Sequence, residues 1–199
     1  MGNNASNVTT GKPMTTGAFF RAPLGSTLPT DATTSLDPAF SCLGYISDDG
    51  ISNSSAPDTD TVKAWGGDPV LYTNNGRDDT FQLTLIEATN PYVLKTVYND
   101  NNVSGTLKDG LTVKVNSDDA DEAAYVIDLI LKGGMRKRIV IPDAKVTDLG
   151  DITYSDGDPV GYEITLSALP FEAFDGDTHR EYIKGASTTT TATTTTSGN

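Results

Sequence analysis

Apolar residues recur at every second position in one segment after another, whereas helical spacing stands out only once. Val160, Tyr162, Ile164, Leu166 and Ala168 alternate with Gly161, Glu163, Thr165, Ser167 and Leu169. Phe81, Leu83 and Leu85 alternate with Thr80, Gln82 and Thr84. A period of two puts successive side chains on opposite faces of a strand, so each segment reads as a strand with one buried and one wet face. Residues 124–131 are apolar on both faces apart from Asp128, which predicts a strand covered on both sides. Further strands are expected near 39–46, 62–65, 70–72, 111–115, 135–141, 144–149 and 151–154. The acidic, Ser-rich stretch 47–60 is expected as a loop. Gly66-Gly67-Asp68-Pro69, Gly133-Gly134 and Asp156-Gly157 supply turns. Trp65, beside the first of these, is expected to pack in the core. The helical exception begins at Asn90, a good N-cap, with Pro91 at the first helical position and Val93, Leu94 and Val97 as its apolar stripe. Eight to ten short strands and this helix predict a mainly β fold. The expected architecture is a β-sandwich or barrel-like domain with one short flanking α-helix.

A length of 199 residues suits one domain. Fourteen Lys and Arg stand against 27 Asp and Glu, a net charge of −13. Such an acid excess argues against groove-type nucleic-acid binding, which works by releasing counterions from phosphates. It suits a surface that repels DNA. One cysteine, Cys42, and one histidine, His179, exclude an internal disulfide framework, a Cys-based zinc cage and a His–His metal site. No apolar run approaches the roughly 20 residues of a membrane-spanning helix, so no membrane partner is expected. The first residues lack the basic and apolar regions of a secretory signal. Residues 1–17 read as a flexible leader. Residues 18–38, with three prolines, read either as an extended docking arm or as an ordinary strand and loop of the core. The β domain is expected over 39–184, followed by a disordered Thr-rich tail over 185–199.

The residues point to no catalytic site, cofactor or metal. A Gly-x-Ser-x-Gly elbow is absent, and the single histidine lies in a charged segment near the Thr-rich tail. No Gly-rich phosphate loop precedes the helix. Acidic pairs such as Asp48-Asp49, Asp118-Asp119 and Asp175/Asp177 fall mostly at predicted turns, where Asp bonds locally to the backbone. Asp156-Gly157-Asp158 lacks the third acidic position of a calcium loop, because Val160 stands there. The dense basic run Met135-Arg136-Lys137-Arg138 reads as a solvated strand face or as a contact for an acidic face of another copy. The second reading is preferred, because self-repulsion at −13 must be offset wherever copies meet.

One stretch is more specific. It runs from Gly44-Tyr45-Ile46-Ser47-Asp48-Asp49-Gly50 through Lys63-Ala64-Trp65-Gly66-Gly67-Asp68. It continues with residues 79–88 and ends at Val93-Leu94-Lys95-Thr96-Val97-Tyr98. In order and spacing these segments resemble the major tail tube proteins of long-tailed bacteriophages, of the type common in phages of actinobacteria. The resemblance implies a non-catalytic virion protein, assembled in the bacterial host cytoplasm. Six copies would form a ring, and rings would stack into a tube around a tape-measure protein. Tail terminator and distal tail proteins would be further partners, and DNA would pass through the lumen without specific binding. Inter-subunit contacts are then expected from the 18–38 arm (Phe19, Phe20, Leu24), the 47–60 loop (Asp48, Asp49) and the basic hairpin (Arg136, Lys137, Arg138). Thr80, Gln82, Thr84, Glu163, Thr165 and Ser167 are the candidates for lumen-facing rows. The competing expectation is a β-sandwich module that binds carbohydrate, which would need exposed aromatics on a flat face.

Overall fold

The described residues, 2–186 of a computed structural model, hold eleven strands and one α-helix. The strands are β1 (Gly11–Pro13), β2 (Phe19–Pro23), β3 (Ser41–Cys42), β4 (Ile46–Lys63), β5 (Pro69–Leu85) and β6 (Val103–Thr106). They continue with β7 (Gly110–Val113), β8 (Ala123–Leu131), β9 (Arg136–Leu149), β10 (Tyr162–Ala168) and β11 (Arg180–Lys184). Every pairing is antiparallel. Nine strands form one sheet in the order β3-β2-β8-β9-β10-β5-β4, with β1 on the same edge of β8 as β2, and β11 on the same edge of β9 as β10. Strands β6 and β7 make a separate ribbon.

Strand β9 joins the two halves of the sheet. Residues 136–140 of β9 pair with β11 and residues 144–149 pair with β10. Pro142 falls in the gap between these partners, where its missing N–H breaks no ladder bond. A register shift in the β8–β9 pairing lies at the same place, as expected where a strand bends from one layer to the next. The two halves therefore share one core. Phe19, Tyr125, Ile127, Ile139 and Ile141 from the first half meet Phe81, Leu83, Leu85, Ile164 and Leu166 from the second. Phe19 stacks on Tyr125 with ring centroids 5.5 Å apart. Helix α1 (Pro91–Tyr98) buries Val93 and Leu94 in the same core. Its N-cap Asn90 accepts a bond from the Tyr92 N–H at 3.0 Å and donates to Glu87. Gly44, at φ +79°, holds a backbone conformation that favours glycine, and a Cβ there would press on the Glu87 carboxylate.

Strand β8 is covered on both faces, as its sequence predicts. On its second face Val126 joins Val140 and Phe174, backed by Phe20, Leu28, Leu36 and Phe40. Asp128, the one charge in this apolar strand, is answered by Arg138 directly across the ladder. The guanidinium meets the carboxylate through two bonds, Nε to Oδ1 at 2.6 Å and Nη2 to Oδ2 at 2.8 Å. Its remaining nitrogen donates to the carbonyls of Asp31 and Thr34 at 3.2 and 2.7 Å. Asp31 offers that carbonyl from a tight turn in which its carboxylate accepts bonds from Thr33 and Thr34, which hold it far below the usual carboxylate range. The pair thus joins β8, β9 and the covering segment into one unit.

The structure departs from the sequence reading at several points. Residues 18–38 form strand β2 and a cover over β8 within the subunit, the ordinary strand and loop rather than a free arm. The 135–141 and 144–149 strands are one strand, because Pro142 sits where no donor is needed. Residues 47–60 belong to strand β4 and not to a loop. Residues 151–154 are not a strand. Part of the leader, β1, pairs with β8. The Thr-rich tail over 187–199 lies outside the described residues.

Removing one partner of a buried, bidentate pair leaves the other charge unanswered, at about 3–5 kcal/mol. Arg138→Ala and Asp128→Ala are each expected to destabilise the subunit by that amount in urea denaturation. Replacement of both by apolar residues is expected to be milder than either single change.

Candidate assembly surfaces

Pairing of β5 with β10 ends at Thr80 opposite Ser167. Beyond that point β4 and β5 have only each other, from Ser55 opposite Asp79 to Lys63 opposite Pro69. None of residues 55–78 is buried. At the strand rise this ribbon extends roughly 30 Å past the body. Its tip closes through Ala64 N–H to the Asp68 carbonyl at 2.8 Å and Gly67 N–H to the Ala64 carbonyl at 2.9 Å. The register slips by one residue at Asn75, beside Gly76 at φ +139°, a bulge that adds twist. Asn75 donates to the Asp60 carboxylate at 2.9 Å. A two-stranded ribbon alone is marginal in water. A surface laid against this arm would support it.

The arm's tip says what kind of surface. Val62 lies opposite Leu71, and Val70 and Tyr72 flank Leu71 in sequence. Val62, Val70, Leu71 and Tyr72 are 46–70% exposed and Trp65 is fully so, at 107%. The indole expected in the core therefore stands in water at the end of the arm. Contiguous exposed apolar residues mark interaction sites. Pro57, Pro69 and the bulge limit indiscriminate strand pairing along the ribbon's edges.

The root of the arm is fixed by polar bonds. The Asp79 side chain is buried and accepts from Asn53 Nδ2 at 2.8 Å and Thr178 Oγ1 at 2.6 Å. His179 Nδ1 lies 2.5 Å from Asp79 Oδ2, and the imidazole meets Phe81 edge-on at 5.3 Å. Burial pushes the Asp79 carboxyl up, but the bonds from Thr178, Asn53 and His179 outweigh it and hold it below its ordinary value. The single histidine thus ties the start of β11 to the arm.

The six candidates for lumen-facing rows lie on one partly exposed face of the subunit. Thr80, Gln82 and Thr84 stand directly opposite Ser167, Thr165 and Glu163. Ser52 and Ser54 extend the face through β4, opposite Gln82 and Thr80. Lys145 and Asp148 of β9 lie opposite Ser167 and Thr165. Gln82 Nε2 donates to Glu163 Oε1 at 2.7 Å, and Thr147 Oγ1 is 2.9 Å from Ser167 Oγ. The result is a continuous hydroxyl- and amide-rich wall, one sheet thick, over the core.

The expected contact residues divide. Phe19 is fully buried, and Arg138 is enclosed by Asp128 and two carbonyls, so neither reaches a neighbour. Phe20 backs the second cluster. Lys137 pairs with Glu181 at 2.7 Å. Leu24, Asp48, Asp49 and Arg136 are exposed. The 47–60 segment, expected as a contact loop, supplies the first part of the arm's outgoing strand, and residues 61–78 complete the arm around the Gly66-Gly67 turn.

Residues 1–193 match the family model described as phage tail tube protein. No curated protein sequence matches the chain.

The one tryptophan makes the arm observable. Subunits before assembly are expected to show water-exposed, readily quenched Trp65 fluorescence, shifting blue and losing quencher access as copies associate. A second expectation concerns pH. A carboxyl held below its ordinary value of 3.8 contributes stability above that value and loses it as pH falls through the lowered one. Urea midpoints of wild type and Asp79→Asn are therefore expected to differ most above about pH 4 and to draw together below it.

Proposed function

From the premise that this chain belongs to the phage tail tube proteins, we propose that its copies close into six-membered rings that stack into the tail tube of a long-tailed virion. The chain is a structural component of the tail, and its self-assembly into a tube is the family's property. The arm is the observation that carries the finer reading. Among the described residues, a ribbon of this length with an apolar tip has no partner within its own subunit. A second copy provides one.

In this reading each arm lies across the neighbouring copy, and the contact is heterologous, one patch meeting a different patch, which generates rings and open stacks. The free edges of β4 and β3 are covered as copies pack. The wall around Thr80, Gln82, Thr84, Glu163, Thr165 and Ser167 faces the lumen, with the apolar core behind it. Joined copies give a barrel with more strands than the 16–18 of porins, which already hold an aqueous channel. Hydroxyls and amides give DNA little cationic surface on which to stick. The tube would surround a tape-measure protein and end on terminator and distal tail proteins. It would be built in the host cytoplasm and serve as the conduit for genome ejection, with no catalytic role. A carbohydrate-binding module is not favoured, since the exposed aromatics Tyr45, Trp65, Tyr72, Tyr92 and Tyr154 lie at the arm tip, on the helix and in separate loops.

Negative-stain electron microscopy tests the reading. Purified wild-type chain is expected to give rings or hollow tubes of uniform diameter as concentration rises. A chain in which residues 57–77 are replaced by Asn-Gly, closing the hairpin at Ala56 and Asp78, keeps every buried core residue. It is expected to fold normally and form no tubes. Tubes from the shortened chain would remove the arm from the assembly.

A further inference from the structure

Four strands bring cations into one line. Lys12 of β1 lies opposite Ile130 of β8, Ile130 opposite Arg136 of β9, and Arg136 opposite Lys184 of β11. Directly opposed residues share a face, so Lys12, Arg136 and Lys184 stand in one row, all exposed. Among the described residues none of the three has a carboxylate within ion-pair distance; the bridged cations are Arg21, Lys137, Arg138, His179 and Arg180. Asp128, one step inward on the same face, has both oxygens taken by Arg138. Lys184 reaches only the Thr33 hydroxyl, at 3.1 Å. Like charges directly opposite across a ladder are destabilising, and Arg136 faces Lys184. In a chain of net charge −13, three unanswered cations in register are a site for an anionic partner.

The chain carries a complementary surface at the far end of the same strand. Arg136 begins β9, and Asp148 and Leu149 end it, a contour of roughly 40 Å. There Asp118, Asp119 and Asp148 line a groove of about 250 Å³, with Lys114 as its one cation. The loop bearing Asp118 and Asp119 is held firmly. Asn99, at φ +74°, donates to the Asp119 carbonyl at 2.6 Å and accepts from the Asp121 N–H at 3.1 Å. Asn102 and Asn116 exchange amide bonds at 3.0 and 3.2 Å. The carboxylates of Asp118 and Asp119 are thus presented from a preorganised rim.

Building on the tube reading, we propose that the Lys12–Arg136–Lys184 row of one copy docks into the Asp118/Asp119/Asp148 groove of the next copy along the tube. One end of each subunit is then cationic and the other anionic, so charge sets the polarity of stacking. A reversed copy would bring like charges together.

Charge reversal on the full-length chain tests this. Arg136→Glu/Lys184→Glu and Asp118→Lys/Asp119→Lys are each expected to fold with unchanged thermal midpoints. Each should raise the concentration needed for tubes at least tenfold. The chain carrying all four changes restores the complement with its sign inverted, and is expected to assemble again. Wild-type assembly should weaken towards 1 M salt, where the screening length falls to about 3 Å. Wild-type tubes with both double variants assembling equally well would overturn the docking while leaving the tube reading intact. Failure of the fourfold chain to recover would overturn the pairing of row with groove. Duplex DNA binding, read by anisotropy and lost only in Arg136→Glu/Lys184→Glu, with assembly unaffected, would assign the row to nucleic acid instead. Absence of any wild-type assembly would overturn both readings together.

Discussion

The subunit depends on a guanidinium placed where water does not reach. Arg138 and Asp128 face each other across the central ladder, and a turn from the 24–40 segment supplies the carbonyls that occupy the remaining nitrogen. A buried ion pair is weak evidence for net stability, because desolvation opposes the Coulomb attraction. Its value here is specificity. The pair fixes the β8–β9 register at the point where a slip would turn every side chain to the wrong face. It also requires the covering segment to close over it, because an open face would admit water to a charged cluster in an apolar layer.

With that register set, the division of labour along β4 and β5 follows. Their inner ends alternate buried and wet residues and serve the core and the polar wall. Their outer ends have no buried face, which suits the proposed contact with another copy. The change occurs at Asp79, where a carboxylate, a threonine and the one histidine replace apolar packing. A polar joint is directional, so it aims the arm as well as holding it.

Legibility in the sequence tracked contrast between faces. Strand β10, the inner half of β5 and helix α1 stand out because apolar and polar residues alternate with the right period, and their positions hold. The arm has two wet faces, so outside its apolar tip near 62–65 and 70–72 periodicity is silent, and the Ser- and Asp-rich 47–60 strand reads as a loop. Trp65 looked like a core residue because a large aromatic beside a tight turn usually is one. The placement of Phe19 depends on pairing with Ile127, a partner too distant in sequence for local pattern to reveal. Arg138 was legible in principle. Asp128 is the only charge in an apolar strand, a buried carboxylate needs a partner, and the hairpin after Gly133-Gly134 brings a basic strand alongside. That the six wall residues share a face is legible because a half-buried strand declares both of its faces.

An arm that takes its support from a neighbour, as proposed, would defer part of its ordering to the moment of contact. Fixing a backbone residue opposes association by about 1–2 kcal/mol, and the first copies to meet would bear that loss before the proposed ring repays it. The consequence of that reading would be kinetic: a nucleation barrier that keeps free subunits apart and lets a preformed end template growth. Tube length and timing then fall to whatever supplies the first docking surface, while the subunits remain dispersed in reserve.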